Sequence, residues 1–129
     1  MITAVDTNVL LDVLLENPNF ADQSIQALED ASAAGSLVIC DIVFAELCVH
    51  FGSATECNRF LEGTKIRAES LGRPALFLAS RVWRTYRQRG GKRNRILSDF
   101  LIGAHAQLQA SRLLSRDRGF YREDRKSVV

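Results

Sequence analysis

Cysteine is scarce: Cys40, Cys48 and Cys57 are the only three, and no CxxC occurs. An odd number cannot all pair within one chain, so a disulfide scaffold is excluded and reduced, cytosolic thiols are the simplest reading. Together with His50 they also lack the spacing of a zinc site. No stretch approaches the ~18 apolar residues that span a membrane. The opening Met-Ile-Thr-Ala-Val-Asp has no basic region and no long apolar one. It is not read as a secretory leader, and the expected location is cytoplasmic. A glycine-rich phosphate loop is missing, since Gly90-Gly91 does not make one. His50 and His105 stand in no HxxxH spacing and are expected to pack on helices or lie at the surface. Net charge is slight as well: +2 over 129 residues does not by itself indicate a nucleic-acid partner.

What is present suits one globular domain over residues 1–129. The chain is 47% hydrophobic and 25% charged, which suffices for a core and argues against disorder. Residues 2–5 read as a buried strand, and Thr7 as the cap of a helix over 8–15 that Asn17-Pro18-Asn19 breaks. A helix over 21–34 stops at Gly35, and Ser36–Cys40 reads as a second strand. Asp41 is expected to cap a helix to about residue 51, and Ser53 one over 53–64. Residues 65–70 stay open between a loop and a short strand. A long helix runs over 74–89, and Ser98 is expected to cap one over 99–110. Arg112–Ser115 reads as another strand, and the polar tail after Tyr121 has no strand pattern. Strands alternating with helices predict an α/β domain with a mostly parallel sheet.

Four acids draw notice. Asp6 and Asp117 each follow an apolar strand, where ligands gather in such sheets. Glu46 lies in the apolar run Ile42-Val43-Phe44-Ala45-Glu46-Leu47-Cys48-Val49. A carboxylate buried there needs a basic partner or a metal. Asp99 opens a helix whose Ile102, Gly103 and Ala106 form a small apolar face, with room for a backbone to approach. Each acid has a plain reading: cap, ion pair, helix-dipole charge or turn residue. One shared pocket accounts for all four. Carboxylates at ~4 Å repel by about 4 kcal/mol at an effective dielectric near 20, so such a pocket calls for a cation. Oxygen ligands suit Mg²⁺ or Mn²⁺, and phosphodiester hydrolysis is the chemistry such a site performs.

Between Ser70 and Ser98 there is no acid, yet eight of the chain's 17 basic residues lie there. Arg84, Arg87, Lys92, Arg93 and Arg95 lead toward Asp99, with Trp83 and Tyr86 among them. The segment reads as a track for an RNA backbone, with aromatics on which bases can stack. A solvated helix face is the plainer alternative.

Four pieces taken together resemble the PIN-domain ribonucleases, and among them VapC-type toxins of toxin–antitoxin pairs. They are Val5-Asp6-Thr7-Asn8-Val9-Leu10, Ala45-Glu46-Leu47, Ser98-Asp99-Phe100-Leu101-Ile102-Gly103-Ala104-His105-Ala106 and Leu114-Ser115-Arg116-Asp117-Arg118-Gly119-Phe120-Tyr121. They follow family order across nearly the whole chain. The resemblance implies a three-layer sandwich whose central sheet has four or five mostly parallel strands. It implies that Asp6, Glu46, Asp99 and Asp117 bind Mg²⁺ and catalyse endoribonucleolytic cleavage, with Asn8 and Ser115 in support. It also implies a homodimer and a cognate antitoxin. Two other functions remain: a non-catalytic RNA- or partner-binding module, and an aspartyl phosphatase acting through Asp6. The Asp-x-Asp-x-Thr pattern of the latter is not met, because Asn8 and Leu10 stand in its second and third places.

Overall fold

A computed structural model describes residues 1–91, 96–117, 121 and 129. Its elements are β1 (Ile2–Val5), α1 (Thr7–Leu14), α2 (Ala21–Ala34), β2 (Ser36–Cys40), α3 (Asp41–Cys48), α4 (Ala54–Thr64), β3 (Ile66–Glu69), α5 (Arg73–Gln88), α6 (Leu97–Gln109) and β4 (Arg112–Leu114). The strands form one sheet in the order β3-β2-β1-β4, and every pairing is parallel. Strand order reverses at β1, with β2 on one side and β4 on the other.

Burial explains the layering. Leu37, Val38, Ile39 and Cys40 follow one another, and none is more than 4% exposed. Successive strand side chains point to opposite faces, so helices cover both sides of the sheet. This is the expected α/β sandwich. Residues 66–69 resolve the open segment as an edge strand. Leu37 to Cys40 pair with Ile66 to Glu69, yet only Ile66 is buried. Beyond β4, Val129 makes one further parallel bridge. Its N–H donates to the Leu113 carbonyl at 2.8 Å, and its own carbonyl accepts from Ser115 at 3.0 Å.

Several helix starts differ from expectation. The α1 cap is Asp6, whose Oδ1 accepts from the Thr7 N–H at 2.7 Å. Asp41 is the first residue of α3 rather than its cap, and its carboxylate accepts from Leu71 N–H at 3.2 Å. At α6 the Asp99 carboxylate reaches back to the Ile96 N–H at 3.1 Å, so Asp99 and not Ser98 closes the first turn. Ser53 does cap α4, accepting from Glu56 N–H at 3.2 Å. At α1 and α6 a carboxylate, rather than the expected hydroxyl, bonds an amide at the helix start.

Two packing details matter later. Ala75, Ala79, Phe100 and Ala104 join α5 to α6, with Trp83 and Tyr86 packed against them. Gly103 faces the Tyr121 ring, 3.3 Å from where a Cβ would sit, so the small face admits a side chain rather than a backbone. His105, 1% exposed, bonds Glu69 through Nε2 at 2.7 Å and ties α6 to the edge strand, while His50 is exposed. No described helix is long and apolar enough to cross a membrane.

Gly35 allows the start of β1 to lie against the turn after α2. A Cβ there would stand 1.8 Å from the Met1 carbonyl oxygen, which accepts from Ser36 N–H at 2.9 Å. Gly35→Ala is expected to cost about 1–3 kcal/mol, as overpacking does. Urea denaturation checks it; an unchanged midpoint would show that the contact relaxes freely.

Candidate functional site

Asp6 lies where β1 ends and α1 begins, at the point where strand order reverses. Its N–H donates to Leu114 O of β4 at 2.9 Å, which ties the end of β1 to the neighbouring strand. The apolar run before it buries the position, leaving Asp6 6% exposed. Three donors hold the carboxylate. Thr7 N–H gives to Oδ1 at 2.7 Å; Ser115 Oγ and Asn8 Nδ2 give to Oδ2 at 2.7 and 3.2 Å.

Burial nevertheless dominates and pushes the Asp6 carboxyl up to about 6. The Ser115 hydroxyl and the Thr7 amide oppose that rise, whereas the charges of Glu46 and Asp99 add to it. Asp6 therefore feels two of the other acids directly. Glu46 comes from α3, and its Oε1 accepts from Thr7 Oγ1 at 2.7 Å. Asp99 comes from the first turn of α6. Asp117 is joined through Ser115, whose Oγ accepts the Asp117 N–H at 2.9 Å while donating to Asp6.

Glu46 corrects one expectation. It was read as buried, yet it is exposed, because α3 buries only Val43 and Leu47. The helix stands at the open edge of the sheet, so its apolar composition does not make it a core helix. The acids also share this edge without crowding round a single point. Among the described residues, no three His, Cys, Asp or Glu side chains gather closely enough to form a metal shell. Chain donors hold Glu46 at Thr7 and Asp99 at Ile96. The donor set still fits a hard divalent ion by its chemistry. It consists of carboxylate oxygens with excess negative charge, and Glu46 Oε2 and Asp99 Oδ1 accept from no described residue.

Sequence reasoning missed two contributors. Thr7 was read as a cap, but its hydroxyl bridges α1 to Glu46. Asp12, 2% exposed, binds Arg116 through both carboxylate oxygens at 2.6 and 3.0 Å. No local pattern marks that pair, since 104 positions separate the partners.

The basic track is described in part. Arg84 and Arg87 are exposed on α5, and with Trp83 and Gln88 they line a shallow hollow of about 390 Å³. The Arg87 guanidinium lies 5.0 Å from the Trp83 ring centre. Lys92, Arg93 and Arg95 fall outside the described residues. Helix α5 packs on α6, whose first turn carries Asp99.

Asp6 makes stability depend on pH in a definite sense. Below ~4 its carboxyl is protonated in both folded and unfolded chains. Between ~4 and its folded value of about 6, only the unfolded chain ionises, so stability falls as pH rises. Above that the loss is complete, at roughly 3 kcal/mol at most. In EDTA, Asp6→Asn should therefore gain on wild type by up to about 3 kcal/mol between pH 4 and pH 7.5. Urea denaturation at the two values measures it, and an equal difference at both would contradict the burial argument.

Comparison with known proteins agrees with this architecture. The PIN domain model matches residues 3–126. VapBC2 from Rickettsia felis, bound to a DNA fragment from its promoter, is similar at a TM-score of 0.77 and 19% identity, covering 100% of this chain and 98% of that one. A toxin–antitoxin complex from Klebsiella pneumoniae gives 0.72 and 21%, covering 98% and 95%. VapBC-1 from nontypeable Haemophilus influenzae gives 0.73 and 18%, covering 100% and 97%. No curated protein matches the chain significantly. A match over almost the full length, on a parallel sheet with acids at its reversal point, places this chain in the PIN domain family.

Proposed function

We propose that this chain is a Mg²⁺-dependent endoribonuclease and the toxin of a toxin–antitoxin pair. The observation that carries the reading is Asp6, a buried carboxylate whose pKa two further acids help to raise at the carboxyl edge of a parallel sheet. Membership of the PIN family supports a nuclease. The similar solved structures include toxin–antitoxin complexes, which supports a cognate antitoxin as partner.

Asp6, Glu46, Asp99 and Asp117 are the residues to hold Mg²⁺, with Mn²⁺ as a substitute. When bound, such an ion lowers the pKa of a coordinated water and neutralises charge on a phosphate oxygen. The protein's own part is preorganisation. Ser115, Asn8 and the Thr7 amide fix both oxygens of Asp6, so its carboxylate need not reorient. Ser115 is 1% exposed and its hydroxyl is engaged with Asp6; that burial favours water over Ser115 as the attacking group. Arg84 and Arg87, exposed beside Trp83, suit the phosphates and bases of RNA. Helix α5 also exposes Leu76 and Phe77, at 42% and 59%, an apolar surface that suits a homodimer.

Purified protein incubated with RNA, with and without EDTA, tests this reading. Cleavage should require the divalent ion and fall on the order of 100-fold or more in Asp6→Asn or Asp99→Asn. Arg84→Ala and Arg87→Ala should raise KM instead, each lowering the salt dependence of RNA binding by about one charge. RNA binding indifferent to metal, with no cleavage under any divalent ion, would favour a non-catalytic module. A phosphorylated Asp6 would favour the phosphatase.

A further inference from the structure

Arg116 lies between Ser115 and Asp117, yet its charge is directed away from the acids. Nε donates to Asp12 Oδ2 at 2.6 Å and Nη2 to Oδ1 at 3.0 Å. Asp12 is buried on α1, and its Oδ2 also accepts from Ser24 Oγ of α2 at 2.7 Å. The guanidinium carbon sits 4.2 Å above the centre of the Phe20 ring. The backbone of the same residue is tied too, because Arg116 N–H donates to Asn8 Oδ1 at 3.2 Å. Residue 116 is thus fastened twice to one face of α1, at Asn8 and at Asp12, a turn apart.

That attachment has a directional consequence. Asn8 presents its oxygen to Arg116 and its nitrogen to Asp6 Oδ2 at 3.2 Å and Ser115 Oγ at 3.5 Å. Ser115 in turn bridges Asp6 and the Asp117 amide. Asp117 follows β4 in a stretch with no regular structure, so the sheet ladder does not fix its position. A bidentate guanidinium–carboxylate pair fixes orientation as well as distance, which a lysine cannot do.

We propose that Asp12 and Arg116 form a positioning pair that locks the segment 115–117 onto α1 and so sets Asp117 against Asp6. Arg116 is not a catalytic residue, because its guanidinium is engaged by Asp12 and stacked on Phe20. The metal consequence rests on the function proposed above; the placement of the segment does not.

Two measurements separate these. The first is Mn²⁺ binding by electron paramagnetic resonance in the full chain. Arg116→Gln and Asp12→Asn should each weaken it about 10-fold, a loss of the size seen when a ligand's supporting partner is removed. The double variant should be little worse than either single one, since one pair is lost in all three. Arg116→Lys should restore only part of the affinity. Arg112→Gln, which loses a bond to Thr3 at 2.8 Å, should leave it unchanged. Additive losses, or wild-type affinity in a folded Arg116→Gln protein, would overturn the pair's role. The second is hydrogen exchange at the Asp117 amide, expected to speed up at least about 10-fold in the folded Arg116→Gln or Arg116→Lys protein. If wild type binds no Mn²⁺, the metal reading fails while exchange still decides the proposal. Faster exchange supports it, and unchanged exchange overturns it.

Discussion

One carboxylate organises this edge of the molecule. Asp6 ends the central strand, caps α1, pairs through its backbone with β4 and accepts three hydrogen bonds. Burial raises its pKa, and Glu46 and Asp99 add to that rise. Folding places an acid where its charge is disfavoured, and the neighbouring donors offset only part of the cost. On the function proposed above, a divalent ion would relieve part of that cost.

The supporting groups reach the edge by unlike routes. Thr7 and Asn8 occupy the first turn of the helix that Asp6 caps. Ser115 arrives because β4 lies beside β1, pairing Val5 with Leu114. Asp99 holds its own helix start, at Ile96, while its charge still reaches Asp6. Its role as a cap and its role in the site are therefore compatible rather than rival. Arg116, next to Asp117 in the chain, pairs its guanidinium with Asp12 on α1.

Much of this was legible in the sequence. Apolar runs of strand length announced β1, β2 and β4, and their alternation with helical periodicity announced the parallel sheet. β3 stayed open because an edge strand exposes most of its side chains and loses the apolar signature. Asp6 and Asp117 were singled out by their place after strands, a rule that depends on topology alone. Glu46 was singled out for an unsound reason: its apolar neighbours suggested burial, while α3 buries only Val43 and Leu47 and leaves the residue exposed. The hydroxyl bridge from Thr7 to Glu46 and the Asp12–Arg116 pair join residues 39 and 104 positions apart. Local pattern carries no trace of contacts at such separation.

The central claim is that burial makes the Asp6 carboxylate costly, that the charges of Glu46 and Asp99 add to the cost, and that the proposed divalent ion would relieve it. Carbon-detected NMR titration of the Asp6 side chain in EDTA, repeated with Mg²⁺, tests it most directly. The account predicts a midpoint near the about 6 given by burial and like charge, falling well below that with Mg²⁺. An ordinary carboxylate midpoint, unmoved by Mg²⁺, would contradict it.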